Sequence, residues 1–534
     1  MAYVAGPIGL PRLFVRGTAN LPGGVAVRLG ETALGSEWLP QWSPDGDLVQ
    51  FLSCPGGSGF GPGCTAMETG KLGGAVQTAT GPSGAWWSWS PDGTRVAFVR
   101  GDTIFTSLAT GTDVRRVAVQ TAGTPDLHSL AWSPDGGRIA FVNGNSQWRT
   151  SGNVWGSSIW IVNAEGGAPR PVLGDEHLNV SPTWIDSRHM LFVSNRDGPR
   201  GVYVVEVGPK GRRGEPRIVA GVADPHSISY SISARKLAYA KFTLRQNVWA
   251  YPLGRATAIS IKDGRPVTSG SQVIEVSDVS PDGRWLAFDS NRRGNMDLYK
   301  MPLGGGDAVP LTALPGNEEN PRWSPDGREI AFYASAPGSA NNSQIMVMSA
   351  EGRPPSALTG SPRWNNYPAW SPSGLAIAFM SNRTGVTRIW LVSRDSVGGA
   401  WHEPVQLTDF ACLTPAWVPD GSGVLCYDGR DLVSVSTQGR AVWRRNITST
   451  LLLRFNGPFQ CTRDGRTIYV SATHEDGRRG VWAIQVAGGT PRLVVVFDDL
   501  SLANAFGSFS IGPDQLYLTV SQYESDIWVA TLKY

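Results

Sequence analysis

Long apolar runs, paired cysteines and grouped histidines are all missing from this chain of 534 residues, and each absence closes off a class of function. No apolar stretch approaches the roughly 20 residues needed to cross a bilayer as a helix, so membrane insertion is not expected. The residues from Met1 to Arg12 lack the charged and then apolar pattern of a signal peptide. The five cysteines (Cys54, Cys64, Cys412, Cys426, Cys461) form no C-x-x-C pair, and the six histidines show no H-E-x-x-H spacing. No metal or other cofactor is therefore expected. Charged residues are only 17% of the chain and net charge is +3, with the signs interspersed and no long basic run, which argues against nucleic acid as a partner. The nucleophile elbow G-x-S-x-G is absent; Gly507-Ser-Phe-Ser-Ile-Gly512 has the wrong spacing. No Gly-rich stretch, Gly56 to Gly63 included, leads into Lys-Ser/Thr and a helix, and Glu318-Glu319 and Asp498-Asp499 read as loop charges. The chain is expected not to be an enzyme.

Abundant instead are Gly (65), Pro (38) and Trp (21), the composition of many short strands joined by tight turns. They are organised as a repeat. Trp-Ser-Pro-Asp-Gly begins at Trp42, Trp89, Trp132 and Trp323, with close variants at Trp370, Val279 and Trp417 and degenerate copies at Trp184, Tyr230, Cys461 and Phe509. These eleven anchors are 43 to 52 residues apart, near the ~40–45 residues of a four-stranded propeller blade. Pro presets the first corner of a turn, Asp bonds its own turn backbone, and Gly takes the left-handed position that closes a hairpin. A strand apolar on both faces follows, such as Glu329-Ile-Ala-Phe-Tyr333, then one with an aromatic, such as Ile389-Trp390, then a short outer one, such as Gln406-Leu-Thr408. These strands are named A to D from the ring axis outward. The fold class is all-β: tandem propellers of four-stranded antiparallel blades. The anchors Trp42, Trp89, Trp132, Trp184, Trp323, Trp370 and Trp417 read as blade-to-blade packing.

Trp-Ser-Pro-Asp-Gly, then Ile-Ala-Phe, then Ser-Asn-Arg (194–196, 290–292, 381–383), then Ile-Trp and Leu-Thr resembles the TolB-like propeller repeat over nearly the whole chain. The second half is similar to sensor propellers that bacteria fuse to Ser/Thr kinases or winged-helix regulators. The resemblance implies a non-catalytic binding or sensor module, a protein or ligand partner, and a periplasmic or extracytoplasmic location, a cytoplasmic one being the alternative without a signal peptide. An upstream kinase or regulator domain would be lost from this chain. The alternative function is the substrate-gating propeller of a prolyl-oligopeptidase-type peptidase whose hydrolase domain is absent here.

Eleven blades exceed the usual ~4–8 of one ring, so two rings are expected: 1–250 as a first propeller of about five repeats plus orphan C and D strands at 12–16 and 25–29, 251–271 as linker and closing strand, and 272–534 as a six-bladed second propeller. The chain thus begins in mid-blade. In the last repeat the C strand is expected at 527–534, with 265–269 supplying its missing D strand.

The D–A and B–C loops share one face. They carry Trp38, Trp86, Trp87, Trp148, Arg149, Trp155, Glu319, Trp364, Asn365 and Tyr367, the amphipathic residue types of binding hot spots. Inward loop packing is the other reading of each single Trp. The expected ligand is a protein segment or extended polymer. Cys54 and Cys64 sit across the mouth of one hairpin and can form a disulfide; the other reading is two free thiols.

Overall fold

The Trp-Ser-Pro-Asp-Gly turn closes on itself. In the seventh repeat Ser324 Oγ donates to Asp326 Oδ1 at 2.6 Å and accepts from the Glu329 N–H at 2.9 Å. Asp326 Oδ1 also accepts from the Arg328 N–H at 3.1 Å, and the Gly327 N–H donates to the Ser324 carbonyl at 2.9 Å. The hydroxyl-to-Asp bond recurs at Ser43, Ser90, Ser133, Ser280 and Thr462. Eight turn glycines, Gly46, Gly93, Gly136, Gly283, Gly327, Gly374, Gly421 and Gly465, share φ values of +68° to +75°, which is why that position is glycine.

The computed structural model describes residues 2–5, 12–15, 27–29, 36–54, 64–71, 73–79, 86–120, 126–145, 156–174, 176–336, 342–360, 363–446, 451–453, 459–462, 464–499, 502–504 and 508–532. Eight of its sheets are four-stranded, with strands in chain order. The seventh repeat is typical, with strands Asn317–Trp323, Glu329–Ser335, Ser343–Ser349 and Ser356–Ala357. Its B strand is apolar on both faces because both are covered. Ile330 and Phe332 pack toward Ala287 and Leu298 of the preceding repeat, and Ala331 faces Trp370, Ile377 and Phe379 of the next. The small residue makes room for the neighbour's aromatic.

The anchor tryptophans do more than fill space. Four indole N–H groups cross to a backbone carbonyl of the preceding blade's A strand: Trp184 to Ala131 (3.1 Å), Trp323 to Asp278 (3.2 Å), Trp370 to Arg322 (3.0 Å) and Trp417 to Ala369 (3.0 Å), whereas Trp132 donates to Gly136 of its own turn. The Ser-Asn-Arg motif ties loops within a blade. Asn195, Asn291 and Asn382 accept from the Leu178, Val273 and Trp364 N–H groups at 2.8–3.1 Å. The Arg that follows lies over two ring faces, as Arg383 does over Phe379 and Trp390.

The chain divides into two compact units, residues 1–243 with 524–534, and residues 244–523. The first holds a three-stranded sheet (Ala2–Ala5, Arg12–Val15, Val27–Arg28), the sheets of the first four repeats, and a last sheet built on Ser227–Ser231. The expected orphan C and D strands therefore have a partner strand in Ala2–Ala5, and the Leu13 N–H donates to the buried Glu37 Oε2 of repeat one at 2.6 Å. The second unit holds six sheets. Its inner strands touch in sequence, Ser277–Val279, Asn317–Trp323, Asn365–Trp370, Leu413–Trp417, Gln460–Cys461 and Phe509–Ile511, and the last touches the first. This ring is closed. The segment 251–271, read from the sequence as a linker, lies inside this unit, with Tyr251 and Ile261 fully buried and joined by a 2.6 Å hydrogen bond.

Two strand assignments are corrected. The second half of Lys236–Pro252, expected to complete repeat five, lies in the second unit and forms the sheet of Phe509–Ile511, where Arg265–Pro266 pairs with Trp249 and Ala250 as strand D. The end of Gln515–Thr531, expected as strand C of repeat eleven, lies in the first unit beside Lys236–Pro252's first half. The physical reason is that neither 17-residue strand contains a glycine or an internal proline, so nothing turns the chain between B and C.

Candidate functional site

Inner strands carry a recurring irregularity. The register of A against B slips at Trp38/Gln41, His128/Ala131, Val180/Thr183, Glu319/Arg322, Asn366/Ala369 and Leu413/Ala416. At each slip a non-glycine residue has positive φ: Leu39, Ser129, Ser181, Asn320 (+61°), Tyr367 (+56°) and Thr414. Such bulges re-aim side chains and recur next to sites. In the second unit two of them bring acidic and aromatic groups together at the end bearing the D–A and B–C loops.

Asp289, near the end of Trp285–Ser290, is fully buried. Its Oδ1 accepts from the Glu275 and Val276 N–H groups at 2.8 and 2.9 Å, and its Oδ2 from the bulge N–H of Asn320 at 3.0 Å. Burial still pushes its carboxyl up to about 6. Glu319, 3% exposed, accepts a hydrogen bond from the Tyr333 hydroxyl through Oε2, while its Oε1 has no partner within the protein. Burial, with the charges of Asp289 and Glu318, raises it to about 7. Glu275 lies above the ordinary range through burial and the charges of Glu319 and Asp289. Tyr367 is shifted up by burial and by Glu275 and Glu319, which places it in the same field. Glu275, Tyr333 and Tyr367 keep accessible surface, while Asp289 and Glu319 form the floor.

Arg322 is the resident cation. Its nearest acid is Asp278 at 3.8 Å, a carboxyl that burial raises to about 6, and its Nη1 makes no hydrogen bond. Adjacent Glu318 is fully buried, its carboxyl shares a hydrogen bond with that of Asp297, and burial raises it to about 7. Among the described residues no group of three or more His, Cys, Asp or Glu is arranged to hold a metal ion. The first unit has a polar cavity of about 280 Å³ at the opposite, turn-bearing end, lined by Arg95, Arg115, Trp132 and Asp135 among others.

Residues 310–493, which include this bulge, match the model of the TolB beta propeller domain. That part of the chain is similar to the TolB beta propeller domain. Three relatives share parts of it. An uncharacterized peptidase YuxL of Bacillus subtilis is 34% identical over 125 residues, 22% of this chain and 18% of that protein. Tricorn protease homolog 1 of Streptomyces coelicolor is 32% identical over 124 residues, 23% of this chain and 11% of that protein. The Tol-Pal system protein TolB of Francisella tularensis is 33% identical over 70 residues, 13% of this chain and 16% of that protein. The chain thus spans less than a fifth of the length of each.

Of the loop residues expected at the binding face, the fold brings Glu319 and Tyr367 together. Trp86 (7% exposed) and Trp87 (5%) are instead core residues of the first unit, and Trp38 packs against the same core. Asn365 is fully buried and structural: it donates to the Ser343 and Arg363 carbonyls and accepts from Arg383. Trp364 is half-buried beside Tyr367, ring centroids 6.5 Å apart. Trp148, Arg149 and Trp155 lie outside the described residues. Sequence reasoning missed Asp289, Glu275 and Tyr333, although one signal was present. Where Phe192-Val193-Ser194 and Phe379-Met380-Ser381 are apolar in the middle, the sixth repeat reads Phe288-Asp289-Ser290. The bulges had a signal too, since Pro follows the positive-φ residue at Leu39, Ser181, Asn320, Tyr367 and Thr414.

Cys54 and Cys64 are bonded (S–S 2.06 Å), and so are Cys412 and Cys426 (2.05 Å), a pair not foreseen from sequence. Cys461 is free, and burial raises its thiol to about 11, which leaves it little thiolate at neutral pH.

Proposed function

We propose that this chain is a non-catalytic binding propeller that receives a protein segment or extended polymer at the D–A and B–C end of the second unit's inner strands. The observation that carries the reading is the bulge at Glu319-Asn320, where Glu319 Oε1 and Asn320 Oδ1 are buried without partners. A buried polar atom left unmatched costs on the order of 1–3 kcal/mol, and two at one strained turn are what a ligand's donors would satisfy. The relative from the Tol-Pal system supports a binding role. The two disulfides support an oxidising, extracytoplasmic location.

A second reading, the gating propeller of a peptidase, draws on the two relatives named as peptidase and protease. Both readings meet in one experiment. The purified full chain is immobilised, challenged with a random peptide library, and the retained and cleaved peptides are sequenced. Retention that Glu319→Gln diminishes, without cleavage, is the expected result. Turnover abolished by a single substitution would refute the non-catalytic reading.

A further inference from the structure

The second unit's site is rich in negative charge and short of positive. Three carboxyl groups, Glu275, Asp289 and Glu319, feel one another's charge. Arg322, the one resident cation among the groups named, stands 3.8 Å from Asp278, and its charge also reaches Asp289 and Tyr367, one cation against three carboxyls. The acidic cluster does not stand alone as an observation. Glu319 is 97% buried by its 3% exposure, its Oε2 is held by Tyr333, and its Oε1 has no hydrogen-bond partner in the protein. That oxygen is an acceptor the protein leaves without a donor. Two phenol rings, Tyr333 and Tyr367, sit in the same field and keep accessible surface. Carboxylates that lack donors, beside aromatic faces, match a planar or compact organic cation, which supplies N–H donors to oxygen and positive charge to the rings.

We propose that this site takes a guanidinium or ammonium group carried on a peptide segment, with Glu275, Asp289 and Glu319 as its counter-charge and Tyr333 and Tyr367 as its aromatic walls. The proposal rests on the binding reading above and names the chemistry of the ligand. Binding is linked to proton release. With Asp289 raised to about 6, Glu319 to about 7 and Glu275 raised by burial, the free site holds protons near neutral pH that an incoming cation displaces. Other titratable groups facing the site are Asp278 and Glu318, both raised as well, and Tyr333 and Tyr367, which stay protonated throughout. Affinity for the cation therefore rises as pH rises.

The test is isothermal titration of the full chain with an acetylated, amidated Gly-Ser-Arg-Gly-Ser-Gly peptide, its citrulline counterpart, and the citrulline peptide with a free N-terminus. The arginine peptide is expected to bind at least about tenfold tighter than acetylated citrulline, and to gain about tenfold between roughly pH 5 and pH 8. Preference for the free N-terminus instead supports the same cation chemistry from its other source. Glu319→Gln and, separately, the half-exposed Glu275→Gln should each erase the preference while leaving the near-ultraviolet circular dichroism unchanged. Equal binding of acetylated arginine and citrulline peptides overturns the proposal but not the binding reading. So does saturation by calcium chloride alone with no peptide discriminated. If no peptide in the panel binds, the proposal fails, and the library experiment then decides whether the binding reading fails with it.

Discussion

A glutamate held at about 7 by its surroundings is a group the folded protein would be more stable without. Glu319, Glu318, Asp289 and Asp278 all have folded-state values raised above the ordinary carboxyl range, with burial the largest cause. The folded chain consequently binds more protons than the unfolded chain between roughly pH 4 and 7. The stability tied to these groups is fully present below that window and is lost as pH rises through it. The turn aspartates run the other way, since hydroxyl and backbone donors lower Asp45, Asp92 and Asp282, so they titrate below the same window. Scanning calorimetry should show the second unit's melting temperature falling from about pH 5 to pH 8. Glu319→Gln should flatten that fall and raise the melting temperature at the alkaline end. A variant that melts lower at every pH would mean that the carboxylate is structural and not held in reserve for a ligand. Stability lost at a site in this way is the usual signature of function.

At the scale of the element, the blade was readable because its parts are local. Turn, B strand and anchor lie within one stretch of sequence, and each residue type had one physical role that the structure repeats. The bond from four of the indoles to the preceding blade was not readable, since it joins residues 45 to 53 positions apart. It yields a sharp expectation. Trp370→Phe keeps most of the buried ring but leaves the Arg322 carbonyl without its donor, so urea unfolding of the second unit should lose about 1–3 kcal/mol. A loss no larger than that of an exposed control such as Trp528→Phe would show that ring area alone matters. The site's acids escaped the reading for a related reason. Glu318-Glu319 looked like solvated charge because nothing local says that the A strand begins there, or that a bulge turns both residues inward.

For the whole molecule the count of repeats and the need for more than one ring followed from anchor spacing, whereas the path of the closing strands did not. Each was assigned to the repeat it follows in the chain. Lys236–Pro252 and Gln515–Thr531 instead each give one part to the first unit and the other part to the second. The missing glycine and proline in both were the available clue, overlooked because an aromatic pair at the expected spacing, Val248-Trp249 and Ile527-Trp528, imitated an ordinary C strand. One outcome separates the two assignments. Removal of residues 524–534 should leave the second unit resistant to limited proteolysis and expose the first, with early cuts near Ser227–Ser231 and 236–243, read by mass spectrometry. If the second unit is digested first, the C strand belongs to repeat eleven after all.

The same path sets the order in which a growing chain can finish. During synthesis residues 1–243 leave the ribosome before residues 244–523, yet the strand that completes their last sheet follows both. The second unit, begun later, has all its strands by residue 523. The half that is born first is completed last, and its open sheet edge must be kept from wrong partners for the whole time the other half is being translated.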